Sequence, residues 1–85
     1  MSWRVIVDRS VGKELKRIPH KIAVQIFSAI ELLSANPYAG DIEKMEGEEF
    51  AWRRRVGAYR IFYDVIVRKR TIHVTHVKRR SSKTY

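Results

Sequence analysis

Eighty-five residues without a cysteine bound the protein to one domain, 1–85, with a single core of helix packed on sheet, and exclude disulfides and thiolate metal sites. No apolar run approaches the ~20 residues of a membrane span, and Arg4 and Asp8 interrupt the N-terminal apolar residues where a signal peptide would be continuous, so a cytoplasmic protein is expected. The formal net charge of +9 is lopsided: residues 1–49 hold seven Lys/Arg against eight Asp/Glu, whereas residues 50–85 hold eleven against Asp64 alone.

In chain order, residues 3–8 are β-branched and aromatic and predict a first strand. Asp8 and Ser10 are capping residues, so a short helix should begin near Val11, carrying Val11, Leu15 and Ile18 on one side and ending at Pro19. A second helix over about 19–35 shows a stripe of Ile22, Ile26, Ala29, Ile30 and Leu33, broadened by Ala23 and Phe27. Asn36-Pro37 stops it. Residues 36–49 predict a long loop with breakers Pro37, Gly40 and Gly47; its acids Asp41, Glu43, Glu46, Glu48 and Glu49 are expected to solvate it and balance local charge.

Residues 50–65 predict a hairpin around Val56-Gly57-Ala58, with Gly57 supplying the positive φ of a short turn. Side chains alternate across a strand, so Phe50, Trp52, Val56, Tyr59, Ile61, Tyr63 and Val65 form an apolar face, and Arg53, Arg55 and Arg60 line the other. Arg54 breaks this pattern; either it snorkels past the core edge or the strand bulges. Arg68-Lys69-Arg70 reads as a charged turn and residues 71–77 as the last strand, followed by Lys78-Arg79-Arg80. On regular alternation His76 shares the parity of Ile72 and Val74 and should pack in the core, whereas His73 shares that of Arg79 and should lie at the surface; His20 is expected to be exposed. The order is β-α-α-β-β-β: an α+β domain, an antiparallel sheet with two helices packed on one face.

Because the charge excess coincides with strands, nucleic acid ranks above a merely solvated basic surface, and a membrane surface ranks lower. No P-loop, GxGxxG, HExxH or Ser-His-Asp pattern is present, and three histidines without cysteine argue against zinc. What remains is a cation cluster of Arg53, Arg55, Arg60, Lys78, Arg79, Arg80 and Lys83, with Tyr59, Phe62 and Tyr85 as stacking surfaces. By itself this cluster implies binding to an RNA or DNA backbone, not catalysis.

Three stretches, Lys44-Met45-Glu46-Gly47, the hairpin 52–63 and Lys78-Arg79-Arg80 with Tyr85, resemble the RelE/ParE superfamily of toxins from toxin–antitoxin pairs, and the element order is similar over almost the whole chain. The resemblance to the RelE branch implies a ribosome-dependent mRNA endoribonuclease in which the RNA's 2′-OH attacks the adjacent phosphate without a metal or other cofactor. It implies catalytic roles for Arg53, Arg60, Arg79 and Tyr85; the cluster residues Arg55, Phe62, Arg80 and Lys83 are expected to contact the RNA. Ala51 falls where RelE has a catalytic lysine, which makes Lys78 the substitute candidate for the base; RelE also continues into a C-terminal helix beyond the position of Tyr85. The implied partners are a RelB-like antitoxin, the ribosome and mRNA, with operator DNA bound through the antitoxin. The rivals are a ParE-like inhibitor of DNA gyrase and an inactive relative that binds RNA or antitoxin. Shared parity implies that Arg53, Arg60 and Arg79 converge on the face opposite the helices.

Overall fold

Strand β4 (Tyr59–Ile66) shows the period of two most clearly: Tyr59, Ile61, Tyr63 and Val65 are buried, and the residues between them are partly exposed. The computed structural model describes residues 2–45 and 51–79. Around β4 lie β1 (Arg4–Val7), β2 (Ile42–Lys44), β3 (Ala51–Val56) and β5 (Thr71–Arg79), in the sheet order β1-β5-β4-β3-β2. Helices α1 (Arg9–Leu15) and α2 (His20–Leu33) both deliver their apolar stripes to the face carrying Tyr59, Ile61, Tyr63 and Val65.

The α+β class and the element order hold, with two corrections. The sheet is mixed, because β1 pairs with β5 in parallel. Strands β3, β4 and β5 follow one another through short connections and must alternate in direction; β1 reaches the sheet through two helices and escapes that constraint. The expected loop 36–49 also contains a fifth strand, β2, which pairs antiparallel with β3.

Each helix start follows from local chemistry. Asp8 caps α1, its Oδ2 accepting from the Ser10 backbone N–H at 3.1 Å and from the Ser10 hydroxyl. Pro19, which has no N–H to leave unsatisfied, stands at the N-cap of α2. Ile26, Ala29, Ile30 and Leu33 are buried as their spacing requires. Phe27 is not part of that stripe: it is 54% exposed.

The β3–β4 hairpin closes through Gly57 and Ala58, with Gly57 at φ 58°. Its register is regular, so Arg54 is not at a bulge: it opposes Ile61 on the helix side, and its guanidinium runs past the core edge to donate to the Ala39 carbonyl at 3.3 Å. Gly40, at φ 91°, lies against that guanidinium; a Cβ there would stand 2.5 Å from Arg54 Nη1. Tyr63 donates to the Pro37 carbonyl at 2.7 Å. The loop after α2 is thus fixed by two side chains rising from the sheet.

The irregularity lies elsewhere. Between Phe62 and Tyr63 the β4–β5 register shifts: Tyr63 pairs with Val74, but Phe62 pairs with His76, leaving Thr75 as an extra residue. The Thr75 hydroxyl donates to the Phe62 carbonyl at 3.2 Å. This bulge reverses the side-chain parity of every later residue in β5.

Candidate nucleic-acid interface

The sheet face away from the helices carries two cross-strand rows. Arg55, Arg60 and Lys78 stand opposite one another across β3, β4 and β5, and Arg53, Phe62 and His76 form the adjacent row. Directly opposed residues point to the same side of a sheet. A third row, Ala51, Asp64 and His73, completes the surface. Four of its members, Arg53, Arg55, Arg60 and Lys78, are cationic side chains.

The bulge decides which residues join. His76 is exposed and opposes Phe62, its ring edge-on at 6.4 Å, instead of packing beside Val74 as regular alternation implied. Lys78 opposes Arg60, its Nζ 6.0 Å from the Phe62 ring centroid. Arg79 opposes Tyr59, a core residue, so its side chain leaves the sheet on the helix side. The expected convergence of Arg53, Arg60 and Arg79 is therefore corrected: Arg53 and Arg60 share the open face, and Lys78 takes the place expected of Arg79. The signal was present in the sequence. Val74 and Val77 are three apart with two polar residues between them, and both can be buried only if one extra residue is accommodated.

The acids also reach this face. Glu43 on β2 opposes Arg53 and accepts from its Nη2 at 2.6 Å, while Asp41 accepts from Arg55 Nε at 2.9 Å. Asp41, Ile42, Glu43, Arg53, Arg55 and Arg60 line a shallow groove. A second groove runs beside it, over Ala51, Phe62, Asp64, Thr75, His76 and Lys78. Expected site residues Arg80, Lys83 and Tyr85, with Glu46, Gly47, Glu48, Glu49 and Phe50, lie outside the described residues.

Two titrating groups frame the site. Asp8, at the sheet margin, is held below the usual carboxylate range mainly by its hydrogen bonds from Ser10, with smaller help from His73 and His76; His73 Nε2 lies 3.9 Å from its Oδ1. Tyr63, beneath the face, is pushed up to about 12 by burial. Among the described residues no group of three His, Asp or Glu is placed to hold a metal ion, and no helix is long and apolar enough to cross a membrane.

Two helices on one side of a five-stranded sheet and arginine-rich rows on the other define a toxin of the RelE/ParE type. The family model for the ParE toxin of type II toxin–antitoxin systems, parDE, matches residues 5–83, and the chain belongs to that family. It is similar to the putative toxin RelE1 of Methanocaldococcus jannaschii, with 30% identity over 83 residues, covering 94% of this chain and 92% of that protein. Among solved structures, it resembles the archaeal RelE–RelB complex from Pyrococcus horikoshii OT3 (TM-score 0.84, 26% identity, 96% of this chain and 99% of that chain). It also resembles the RelB–RelE antitoxin–toxin complex from Methanococcus jannaschii (TM-score 0.74, 28% identity, 87% and 88%).

Proposed function

We propose that this toxin cleaves mRNA on the ribosome, with the helix-free face as its active surface. The observation that carries the reading is the pair of rows Arg55–Arg60–Lys78 and Arg53–Phe62–His76, which joins phosphate-binding cations to an aromatic ring. Cleavage by the RNA's own 2′-OH passes through a phosphorane bearing extra negative charge. Arg53, Arg60 and Lys78 supply preorganised positive charge where that negative charge develops. Phe62 offers a base-stacking surface, typically worth ~1–3 kcal/mol per base.

The ion pairs on Arg53 and Arg55 do not close the site. Exposed pairs of this kind are typically worth ~0–1 kcal/mol, and a bidentate phosphate contact competes well for an arginine fork. A cognate antitoxin of the RelB kind is the expected neutralising partner, since the related structures from Pyrococcus horikoshii and Methanococcus jannaschii are RelE–RelB complexes. The ParE-like alternative, inhibition of DNA gyrase, is favoured by the family model that matches and by Ala51 on the open face where RelE has lysine.

Primer extension on mRNA from translating ribosomes separates the two. Defined new RNA ends in the ribosomal A site, with supercoiling by gyrase intact, support the ribonuclease. Growth arrest with intact mRNA and failed supercoiling transfers the protein to the gyrase class.

A further inference from the structure

The transesterification needs a base for the 2′-OH as well as charge for the phosphorane. Arginine cannot be that base, because it stays protonated. Lys78, as an ammonium, offers three donors and no acceptor. Besides Asp64 and His73 in the far row, the open face carries His76, brought there by the Thr75 bulge: it is exposed, directly opposite Phe62 in the row beside Arg60, and two residues from Lys78 on the same strand. An imidazole exchanges protons near neutral pH, and this ring stands edge-on beside the Phe62 ring, their centroids 6.4 Å apart. We infer that His76 is the general base of the cleavage, with Lys78 as its acid partner, an assignment that rests on the ribonuclease reading.

In this step neutral His76 takes the 2′-OH proton as the 2′-oxygen forms its bond to phosphorus. The bond from phosphorus to the 5′-oxygen breaks, and that oxygen leaves with a proton from the Lys78 ammonium. The products are a 2′,3′-cyclic phosphate and a 5′-hydroxyl; the imidazolium and the amine return to their starting states through water. Arg53 and Arg60 hold the phosphoryl oxygens and exchange no proton.

The charged groups around His76 bear on its protonation. From β4 these are Arg60 and Asp64, from β3 Arg53 with its Glu43 partner, from β5 His73 and Lys78, and from the cap of α1 Asp8. A bound phosphate adds further negative charge. Because the base must be neutral, protonating His76 stops the step, and the rate falls on the acid side.

The test is single-turnover cleavage of mRNA on ribosomes programmed with an A-site codon, from pH 5.5 to 8.5, with wild type, His76→Gln, His76→Ala and, as a control away from the open face, His20→Gln at the exposed start of α2. Wild type and His20→Gln should share a rate that rises about tenfold per pH unit along its acidic limb. His76→Gln should cleave about 100- to 10,000-fold more slowly and lose that acidic limb. Added imidazole should speed His76→Ala, which a merely structural role does not explain. If wild type cleaves and His76→Gln keeps both the rate and the limb, His76 is not the base and the ribonuclease reading stands. If wild type leaves the mRNA intact, both fall together.

Discussion

Lys78 stands directly opposite Arg60 across the β4–β5 ladder, and its neighbour Arg79 stands opposite the core residue Tyr59. One extra residue, Thr75, makes that difference. Of the two C-terminal cations within the described residues, the one on the helix-free face is therefore the lysine.

The register gives an ordering of mutants. Lys78→Ala and Arg60→Ala each remove a charge from the face proposed to stabilise the phosphorane, and each should slow cleavage by about 100- to 1000-fold, the range typical of one oxyanion donor. Arg79→Ala removes a charge on the far side, more than a strand's thickness away and screened by salt, so its effect should stay within about fivefold. Single-turnover cleavage on programmed ribosomes checks the order; a larger loss from Arg79→Ala than from Lys78→Ala would contradict the placement.

Glu43 and Arg53 give a second prediction. Their 2.6 Å ion pair occupies an arginine that the RNA backbone would otherwise meet. Glu43 is well exposed, so Glu43→Gln should change stability by no more than about 0.5 kcal/mol. It should tighten non-specific RNA binding and steepen the dependence of log K on log salt by about one further phosphate contact. Fluorescence anisotropy with a short single-stranded RNA at several salt concentrations measures both. An unchanged slope would mean that Arg53 does not reach the backbone.

Much of this arrangement was legible in the sequence, for physical reasons that differ by element. The alternation of Tyr59, Ile61, Tyr63 and Val65 and the helical spacing of Ile26, Ile30 and Leu33 are local patterns, and both faces they imply are found. The β1–β5 pairing joins residues some 67 positions apart, as Arg4 and Thr71 do, and no local pattern reports it. The three-residue β2 is too short to carry a period, and it is recognised only by its partner β3. The same blindness hid the pairing of Glu43 with Arg53, since the acids read as solvation of a loop. His76 and Arg79 were misplaced by assuming a regular strand where Val74 and Val77, both buried, already required a bulge.

Tyr63 predicts how the fold responds to alkali. Burial raises its pKa from the ordinary 10.0 to about 12, because the phenolate would lose its hydration. The stability this group preserves is complete below pH 10, where neither state ionises, and is lost between 10 and 12 as the unfolded chain ionises first. A two-unit shift corresponds to about 2–3 kcal/mol lost over that window. Tyr63→Phe should be less stable at pH 7 by about 1–2 kcal/mol, having given up the hydrogen bond to the Pro37 carbonyl. Its stability should then fall less steeply than that of wild type above pH 10. Denaturant unfolding at pH 7, 10 and 11 gives both quantities, and parallel curves above pH 10 would show that the phenol does not control this window.

Replacing Ala51 by lysine looks like the restoration of a missing charge, and the ladder partner of Ala51 argues otherwise. Ala51 stands directly opposite Asp64 on the open face. An Ala51→Lys ammonium would meet that carboxylate across the strands, and an opposite charge so close favours the protonated amine. The new lysine would be held by Asp64, poor as a base and partly neutralised as a phosphate contact. Ala51→Lys alone should therefore leave cleavage within about threefold of wild type, since a cross-strand charge pair typically contributes ~0.2–1 kcal/mol. Asp64→Asn removes the restraint while keeping the shape of the side chain. In the double variant the lysine keeps its charge for the RNA, so cleavage should exceed the product of the two single effects by about five- to tenfold, a coupling of about 1 kcal/mol. Rates for all four corners of the cycle, measured on programmed ribosomes at one pH, decide the matter. Additive effects would show that Asp64 and residue 51 do not meet, and would put the β3–β4 register at that end of the hairpin in question.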